Sequence, residues 1–486
     1  MTGFEPSKRK GQRACVLGLG RSGLAAARLL LRRGFSVFGS DTRPAAEVKA
    51  SARLPAGLVW EGSGHGDRVL KCGFVVKSPG IARSAPIIAR IEAAGIPIFS
   101  EVETALAFSR AKKLVAITGT NGKTTTASLT AAVFSKGFPG GGKTHLAGNV
   151  GIPASEVAVR TGPKDALVLE ASSYQLEDSR RFRPDAAAIL NITADHIEHH
   201  GAMAGYIEAK ARIFREQGPD HWCVFNAFDP LTMKLSRRCP SRRLFFGPKA
   251  LGVHAWMEGG RIRARLPGEA EASFPPPAIP GEHNLHNAMA AVLLALCQGV
   301  KPAAARAGLA SFKGVEHRLE ECGTAGGIRC VNDSKATNVD STMVALKSMP
   351  ESGRVMLILG GLHKGSPYTP LRSLIPGRVK CILTIGSAAA KVEEDLAGTV
   401  HIFPCKELAV AADTAFKVGA PGDILLLSPA AASFDQFKDF EDRGRQFKEL
   451  MRQRQEKRLR RTPPTTARLP RGGRLATRGR LATRGK

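Results

Sequence analysis

At 486 residues the chain exceeds one ordinary core, so two or three domains are expected. An apolar content of 43% fits a water-soluble globular protein, the apolar run 288–296 is far too short to cross a bilayer, and no apolar stretch of a signal peptide follows the N-terminal MTGFEPSKRKGQRA. The net charge of +29 suggests a nucleic-acid partner, but thirteen basic residues and one acid fall within 451–486, and three Trp and three Tyr leave few platforms for stacking bases, so nucleic acid is not the expected partner.

In chain order, 13–19 reads as a buried strand, Gly20 as a turn, 22–33 as a helix and FSVFGSD (35–41) as the next strand, the start of a βαβ unit. GLGRSG at 18–23 has GxGxxG spacing, and Asp41 closes the second strand. Three readings stay open: a dinucleotide, the pyrophosphate of a UDP-sugar with Asp41-Thr42-Arg43 at its uridine end, or a tight turn with no ligand. CGFVVKSPGI (72–81) is a later strand ending in a Ser-Pro-Gly turn.

A second α/β block starts with the strand 114–118, followed by GTNGKT (Gly119, Thr120, Asn121, Gly122, Lys123, Thr124), Thr125 and a helix over 125–136. Glycines after a strand let backbone N–H groups turn toward phosphate oxygens, and the helix that follows adds its unpaired N–H groups and positive end. Lys123 then reaches the β/γ-phosphates and the Thr124 hydroxyl suits Mg²⁺. Ile117 occupies the first glycine position of the full phosphate-loop pattern, and an ordinary strand–turn–helix is the competing reading. Strands at 166–170, 186–191 and 223–226 place Glu170, and then Asp195 and His196, just past strand ends, where an open parallel sheet faces its ligand crevice. A carboxylate and an imidazole there suit Mg²⁺, which needs few protein ligands. His199 and His200 read as solvated, and Lys210 in YIEAKARIF reads as a surface lysine with a snorkelling stem.

A third block starts near 318, with strands around 328–332, 354–359, 381–385 and 423–427. The expected fold is α/β: three domains, each a mostly parallel sheet with flanking helices, Rossmann-like at both ends around a P-loop ATPase-like centre. The expected spans are 1–110, 111–317 and 318–450, then a basic disordered tail at 451–486 containing the repeat RLATRG. Nine cysteines, none in CxxC spacing, argue against zinc or disulfides and fit a reducing cytoplasm.

GTNGKTTT, ASSYQLE, NITADHIEHH, YIEAKARIF and GEHNLHNAMAA occur in that order, and together they resemble the Mur ligases, ATP-dependent amide-bond ligases that build the peptide stem of peptidoglycan. GVEHRLE, NDSKATNVDST, LGGLHKGSPY and LLSPAAASFDQFKDFEDRGRQF are similar to the D-glutamate-adding branch. The resemblance covers roughly 13–450. It implies ATP and Mg²⁺ as cofactors, UDP-N-acetylmuramoyl-L-alanine and D-glutamate as substrates, an acyl-phosphate intermediate, and a cytoplasmic monomer that does not insert into membranes. It assigns Lys123 and Thr124 to phosphates and Mg²⁺, Glu170 and His196 to Mg²⁺, and makes Lys210 a carbamylated metal ligand. Asn287, Arg318 and Asp333 match ATP positions. Arg21, Ser22, Asp41, Thr42, Arg43, Gly80, Asn149 and Ser172 match the UDP-substrate side, and Thr337, Lys364, Ser433 and Phe434 match D-glutamate. Packing is the competing role for Phe434 and Phe440. An NAD-dependent oxidoreductase would need neither the phosphate loop nor DSKATN. A folylpolyglutamate synthetase would share the ATPase core without the D-glutamate motifs.

Overall fold

The structure is a computed structural model that describes residues 3–461 apart from positions 52, 150, 280, 364 and 366. Strands β1 (Arg13–Leu17), β2 (Ser36–Ser40), β3 (Val59–Glu61), β4 (Phe74–Lys77) and β5 (Ile98–Ser100) form a five-stranded parallel sheet in the order β3-β2-β1-β4-β5. All four residues of β4 and the last four of β1 are buried, as expected for parallel strands covered on both faces. The helix Arg21–Arg32 follows β1 at once, and Gly23 makes that turn possible: a Cβ there would lie 1.8 Å from the Gly18 carbonyl oxygen.

The second sheet contains β6 (Lys113–Thr118), β7 (Thr144–Gly148), β8 (Ala166–Glu170), β9 (Ala186–Ile189), β10 (Trp222–Asn226), β11 (Arg242–Phe246), β12 (Ala255–Glu258), β13 (Arg261–Ala264) and β14 (Ala272–Phe274). Its order is β14-β13-β12-β11-β10-β9-β6-β8-β7. The strands from β6 to β11 pair in parallel, and β12, β13 and β14 pair antiparallel. The hairpin between β12 and β13 turns on Gly259 and Gly260, both at positive φ, as a two-residue turn with matching twist requires. The third sheet, β15 (Glu320–Ala325), β16 (Ile328–Asn332), β17 (Val355–Gly360), β18 (Val379–Ile385), β19 (His401–Lys406) and β20 (Ile424–Leu427), has the order β15-β16-β20-β17-β18-β19, with only β15 antiparallel.

The first two sheets belong to one compact unit ending at Val315, and the third belongs to a second unit beginning at Glu316. Near 111 the sheets change but the packing does not part: Val102 and Ala105, before that point, share a core with Ala147, Val157 and Leu167 beyond it.

The sequence reading that starts a disordered tail at 451 does not hold for its first residues. The helix Phe440–Arg461 continues through them, and Met451 is fully buried with Phe447 against Cys330 and Leu425. One large apolar side chain on the inward face anchors the turn that the surrounding charges would leave in solvent. The rest of that tail, 462–486, lies outside the described residues. No helix among the described residues is long and apolar enough to cross a membrane.

Candidate active site

Functional side chains gather at the carboxyl ends of parallel strands, where an open sheet leaves a crevice at the point its strand order reverses. In the first sheet that point lies between β1 and β4. A cleft of about 590 Å³ opens there, lined by Gly18, Gly20, Asp41, Thr42, Arg43 and Ser78 among others. The Asp41 carboxylate accepts from Leu19 N–H at 2.6 Å, from Arg43 N–H at 2.9 Å, and from the Arg43 guanidinium at 3.0 Å on each oxygen. Burial works to raise its pKa, but these bonds hold it below the usual carboxylate value. Ser22 Oγ lies 3.4 Å from Ser78 Oγ, Arg21 is exposed at the start of its helix, and Gly80 sits in the turn between Ser78 and Ile81.

In the second sheet β6 lies between β9 and β8, and the glycine loop leaves its carboxyl end. Gly119 and Gly122 both have positive φ; a Cβ on Gly122 would fall 2.4 Å from Asn287 Oδ1, so Asn287 from the helix Glu282–Leu296 packs directly on the loop. Asn287 Oδ1 also accepts from Thr126 Oγ1 at 3.1 Å. Thr120 N–H donates to Asn191 O and Asn121 N–H to Asn191 Oδ1, which fixes the loop against the end of β9. Lys123, Thr124 and Thr125 open the helix Lys123–Ser135, with both threonines buried.

Two lysines converge on one oxygen. Lys123 Nζ donates to Gly119 O at 2.9 Å and to Thr120 O at 2.7 Å, and Lys210 Nζ donates to the same Gly119 O at 2.8 Å. Lys210 is 1% exposed, which overturns the surface reading: the helix Met203–Arg215 turns Tyr206, Lys210 and Phe214 inward together. Burial, reinforced by the Lys123 charge, pushes the Lys210 amine well below its usual pKa. Tyr206 was not singled out by the sequence reading. Its ring lies 4.4 Å from Lys210 Nζ and its hydroxyl 3.1 Å from Thr120 Oγ1; its position four residues before Lys210, on the same helical face, was the available signal.

Glu170 ends β8, is 2% exposed, and accepts from Asn149 Nδ2 at 3.3 Å. His196 caps the helix Ile197–His200 from the left-handed region at φ 55°, a conformation that costs a non-glycine residue energy. Burial lowers its pKa against the pull of Asp195 and Glu198, which favours the neutral imidazole that can ligate a metal. A hard divalent ion fits this chemistry: a buried carboxylate, a hydroxyl and a neutral imidazole at adjacent strand and helix ends. Ser172 is the N-cap of the helix Ser173–Glu177 in a capping box with Gln175, so its hydroxyl already serves the backbone. The solvated reading of His199 and His200 also fails, because both rings pack on Tyr174 and contact Glu177.

In the second unit Asp333 follows β16 and is buried. Its carboxylate accepts from Ser428 Oγ at 2.8 Å and Leu319 N–H at 3.2 Å. Burial raises its pKa to about 7 although the nearby Arg318 charge opposes the shift. Arg318 Nε is buried without a partner among the described residues, a guanidinium edge left for an acceptor. Thr337 is half-buried and Ser433 is buried. Phe434 is 66% exposed, which excludes packing as its role, while Lys335 Nζ lies 5.7 Å from the Phe440 ring centre. Lys364 lies outside the described residues.

Arg443 escaped the sequence reading. It is fully buried, and its guanidinium donates to Ser334 Oγ, Ser334 O, Ala431 O and Ala432 O at 2.8–3.3 Å. It ties the loop after β16 to the loop carrying Ser433.

Profiles described as Mur ligase MurD-like N-terminal domain, Mur ligase middle domain and Mur ligase glutamate ligase domain match residues 12–100, 117–295 and 317–431. UDP-N-acetylmuramoylalanine–D-glutamate ligase from Elusimicrobium minutum is 44% identical over 92% of this chain and 99% of its own length; the protein of the same name from Acidobacterium capsulatum is 41% identical over 91% and 96%. The fold is shared with UDP-N-acetylmuramate-alanine ligase MurC from Thermotoga maritima at a TM-score of 0.59 and 21% identity, covering 91% of this chain and 99% of that one. With three domain profiles in sequence order and relatives matched nearly end to end, the chain belongs to the Mur ligase family.

Proposed function

We propose that this chain joins D-glutamate to the L-alanyl carboxylate of UDP-N-acetylmuramoyl-L-alanine at the expense of ATP, in cytoplasmic peptidoglycan precursor synthesis. The observation that carries the reading is the pair of lysines on Gly119 O. Lys123 brings its charge to the place where phosphate oxygens would lie, and Lys210, with no carboxylate among the described residues at ion-pair distance, is shifted toward its neutral form. Nine free cysteines fit a reducing compartment.

The loop Gly119–Thr124 binds the phosphates through backbone N–H groups, and Lys123 exchanges its loop carbonyls for phosphate oxygens. Asn287 holds the loop, and Arg318 and Asp333 are assigned to the nucleotide. Thr124, Glu170 and His196 would hold Mg²⁺. Lys210, whose burial favours the neutral amine, would add CO₂ with loss of a proton to give a carbamate, a further anionic group for their set. Bound Mg²⁺ supplies neutralisation of the charge that develops during phosphoryl transfer. The γ-phosphoryl passes to the L-alanyl carboxylate, which converts an oxide that leaves poorly into phosphate. The D-glutamate amine then attacks the acyl carbon, loses a proton and expels phosphate. The protein's contribution is positioning and electrostatics.

Gly80, Asn149, Arg21, Ser22, Asp41, Thr42 and Arg43 serve the UDP-substrate, while the Ser172 hydroxyl caps its own helix. Thr337, Lys364, Ser433 and Phe434 receive D-glutamate; an exposed phenylalanine beside a buried serine supports a surface completed by ligand.

The test is phosphate release from ATP with the UDP-substrate, comparing D-glutamate with L-glutamate, D-alanine, L-lysine and no acceptor. Release dependent on D-glutamate, with the dipeptide product seen by mass, is expected. Release with another acceptor would overturn the assignment of the third-domain residues and leave the ATP-binding core standing.

A further inference from the structure

A second cluster of metal-ligating side chains lies beside this site, and the ligase reading leaves it unused. The helix Ser173–Glu177 contributes Glu177, and the helix Ile197–His200 contributes His199 and His200. His199 Nε2 is 3.0 Å from Glu177 Oε2, and His200 Nδ1 is 3.4 Å from Glu177 Oε1. One donor atom from each residue lies within 4.8 Å of the others. The side chains are 9%, 1% and 14% exposed for His199, His200 and Glu177. His200 Nε2 pairs with Ser173 Oγ at 3.0 Å, an outer hydrogen bond that turns Nδ1 toward the carboxylate. Tyr174 fixes both rings, edge-on to His199 at 4.1 Å and stacked on His200 at 5.6 Å.

The spacing suits an ion. Two ligands bound at about 2.0–2.1 Å with near-tetrahedral angles lie about 3.3 Å apart. The observed 3.0 and 3.4 Å separations run to different oxygens of Glu177, Oε2 and Oε1, so the carboxylate bridges the two rings, and the donor atoms, within 4.8 Å of one another, draw in to meet one ion once the bridging protons are lost. Two imidazoles and one carboxylate form a zinc-type donor set with a fourth position left for water, whereas Mg²⁺ prefers oxygen throughout. The other cluster of this kind among the described residues, Glu316, His317 and Glu320, differs in one decisive respect: Lys448 Nζ donates to Glu316 at 2.8 Å and to Glu320 at 2.7 Å, so a cation of the chain already fills it.

We propose that Glu177, His199 and His200 bind a borderline-soft divalent ion of the Zn²⁺ type, separate from the Mg²⁺ of the nucleotide site. The inference rests on this cluster's geometry and stands or falls apart from the substrate assignment.

The test titrates Co²⁺, a spectroscopic stand-in for Zn²⁺, into the full chain at saturating Mg²⁺, which keeps oxygen sites occupied. One equivalent should bind with the intense visible absorption of a four-coordinate ion, and Zn²⁺ should displace it. His199→Gln should abolish the absorption, and Glu177→Gln should weaken binding at least tenfold. Because His200 also packs 5.4 Å from Tyr206, its replacement risks the fold; the two variants above carry the test without it. As a second readout, Zn²⁺ should raise the Tm of the parent chain and leave that of His199→Gln unchanged. Absence of stoichiometric binding, the weak absorption of a six-coordinate ion, or equal binding in parent and His199→Gln would each overturn the proposal.

Discussion

Lys77 and Lys210 are both at most 1% exposed and lie in the same compact unit, yet their surroundings are opposite. Lys77 Nζ sits 2.9 Å from Asp178, which also pairs with Arg83, and donates to Ile81 O. Lys210 donates to a carbonyl that already receives Lys123, and no carboxylate among the described residues lies within ion-pair distance. A buried charge with a counter-charge is structure; a buried amine without one is driven toward its neutral, nucleophilic form. Burial alone therefore does not mark a reactive lysine; the missing partner does.

Four measurements would break or sharpen that contrast. Lys210→Met should reduce turnover by about 10³-fold, the scale of losing a group that stabilises developing charge, while urea unfolding shows stability unchanged or raised. A large loss of stability there would make Lys210 structural and collapse the contrast. Lys77→Met should do the reverse. It leaves Asp178 buried with only Arg83, at a cost of about 3 kcal/mol in urea unfolding, and near-normal kcat in the molecules that remain folded.

Glu101 extends the comparison to an unpaired acid. It is fully buried, accepts from Ser155 N–H at 2.6 Å, and leaves its second oxygen without a partner. Burial raises its pKa from 4.5 to about 7. The folded state therefore holds a proton that the unfolded state releases, and stability falls as pH rises from about 4.5 through 7. Glu101→Gln should remove that slope and raise stability by about 3 kcal/mol at pH 8, with no gain at pH 4. A parallel shift at both pH values would mean the carboxyl is not the cause. The smallest effect belongs to a neutral group: Ser172→Ala should cost about 1 kcal/mol as a lost cap and leave KM for the UDP-substrate unchanged. A raised KM with unchanged stability would restore Ser172 to the substrate side.

The strands and their ligand-facing ends were legible because β-branched and aliphatic runs stop at glycine or acid: Thr118 before the loop, Glu170 closing β8, Asn332 before Asp333. What was not legible depends on distant partners. Nothing local in YIEAKARIF says that Lys210 meets Gly119 O, ninety-one positions away. His199 and His200 look polar and solvated until Tyr174 and Glu177 arrive from another helix. Arg443 sits in a charged run, FEDRGRQF, in which Arg445 and Gln446 are exposed, and its burial follows from two loops more than a hundred and about ten residues upstream. Met451 shows the same limit from the other side, since one apolar residue in a basic segment carries too little periodic signal to reveal its pocket.

Arg443 and Phe434 also forecast how this sequence drifts across lineages. Four acceptors on a planar fork leave position 443 closed: lysine cannot span them, and any smaller residue strands two loops' worth of carbonyls. The phenylalanine nine positions earlier, 66% exposed, is under no such geometric restraint from its own fold. Variation at 434 would therefore record changes in what the surface meets, while variation at 443 would appear only alongside rebuilding of both loops, so the two columns of an alignment would keep different clocks.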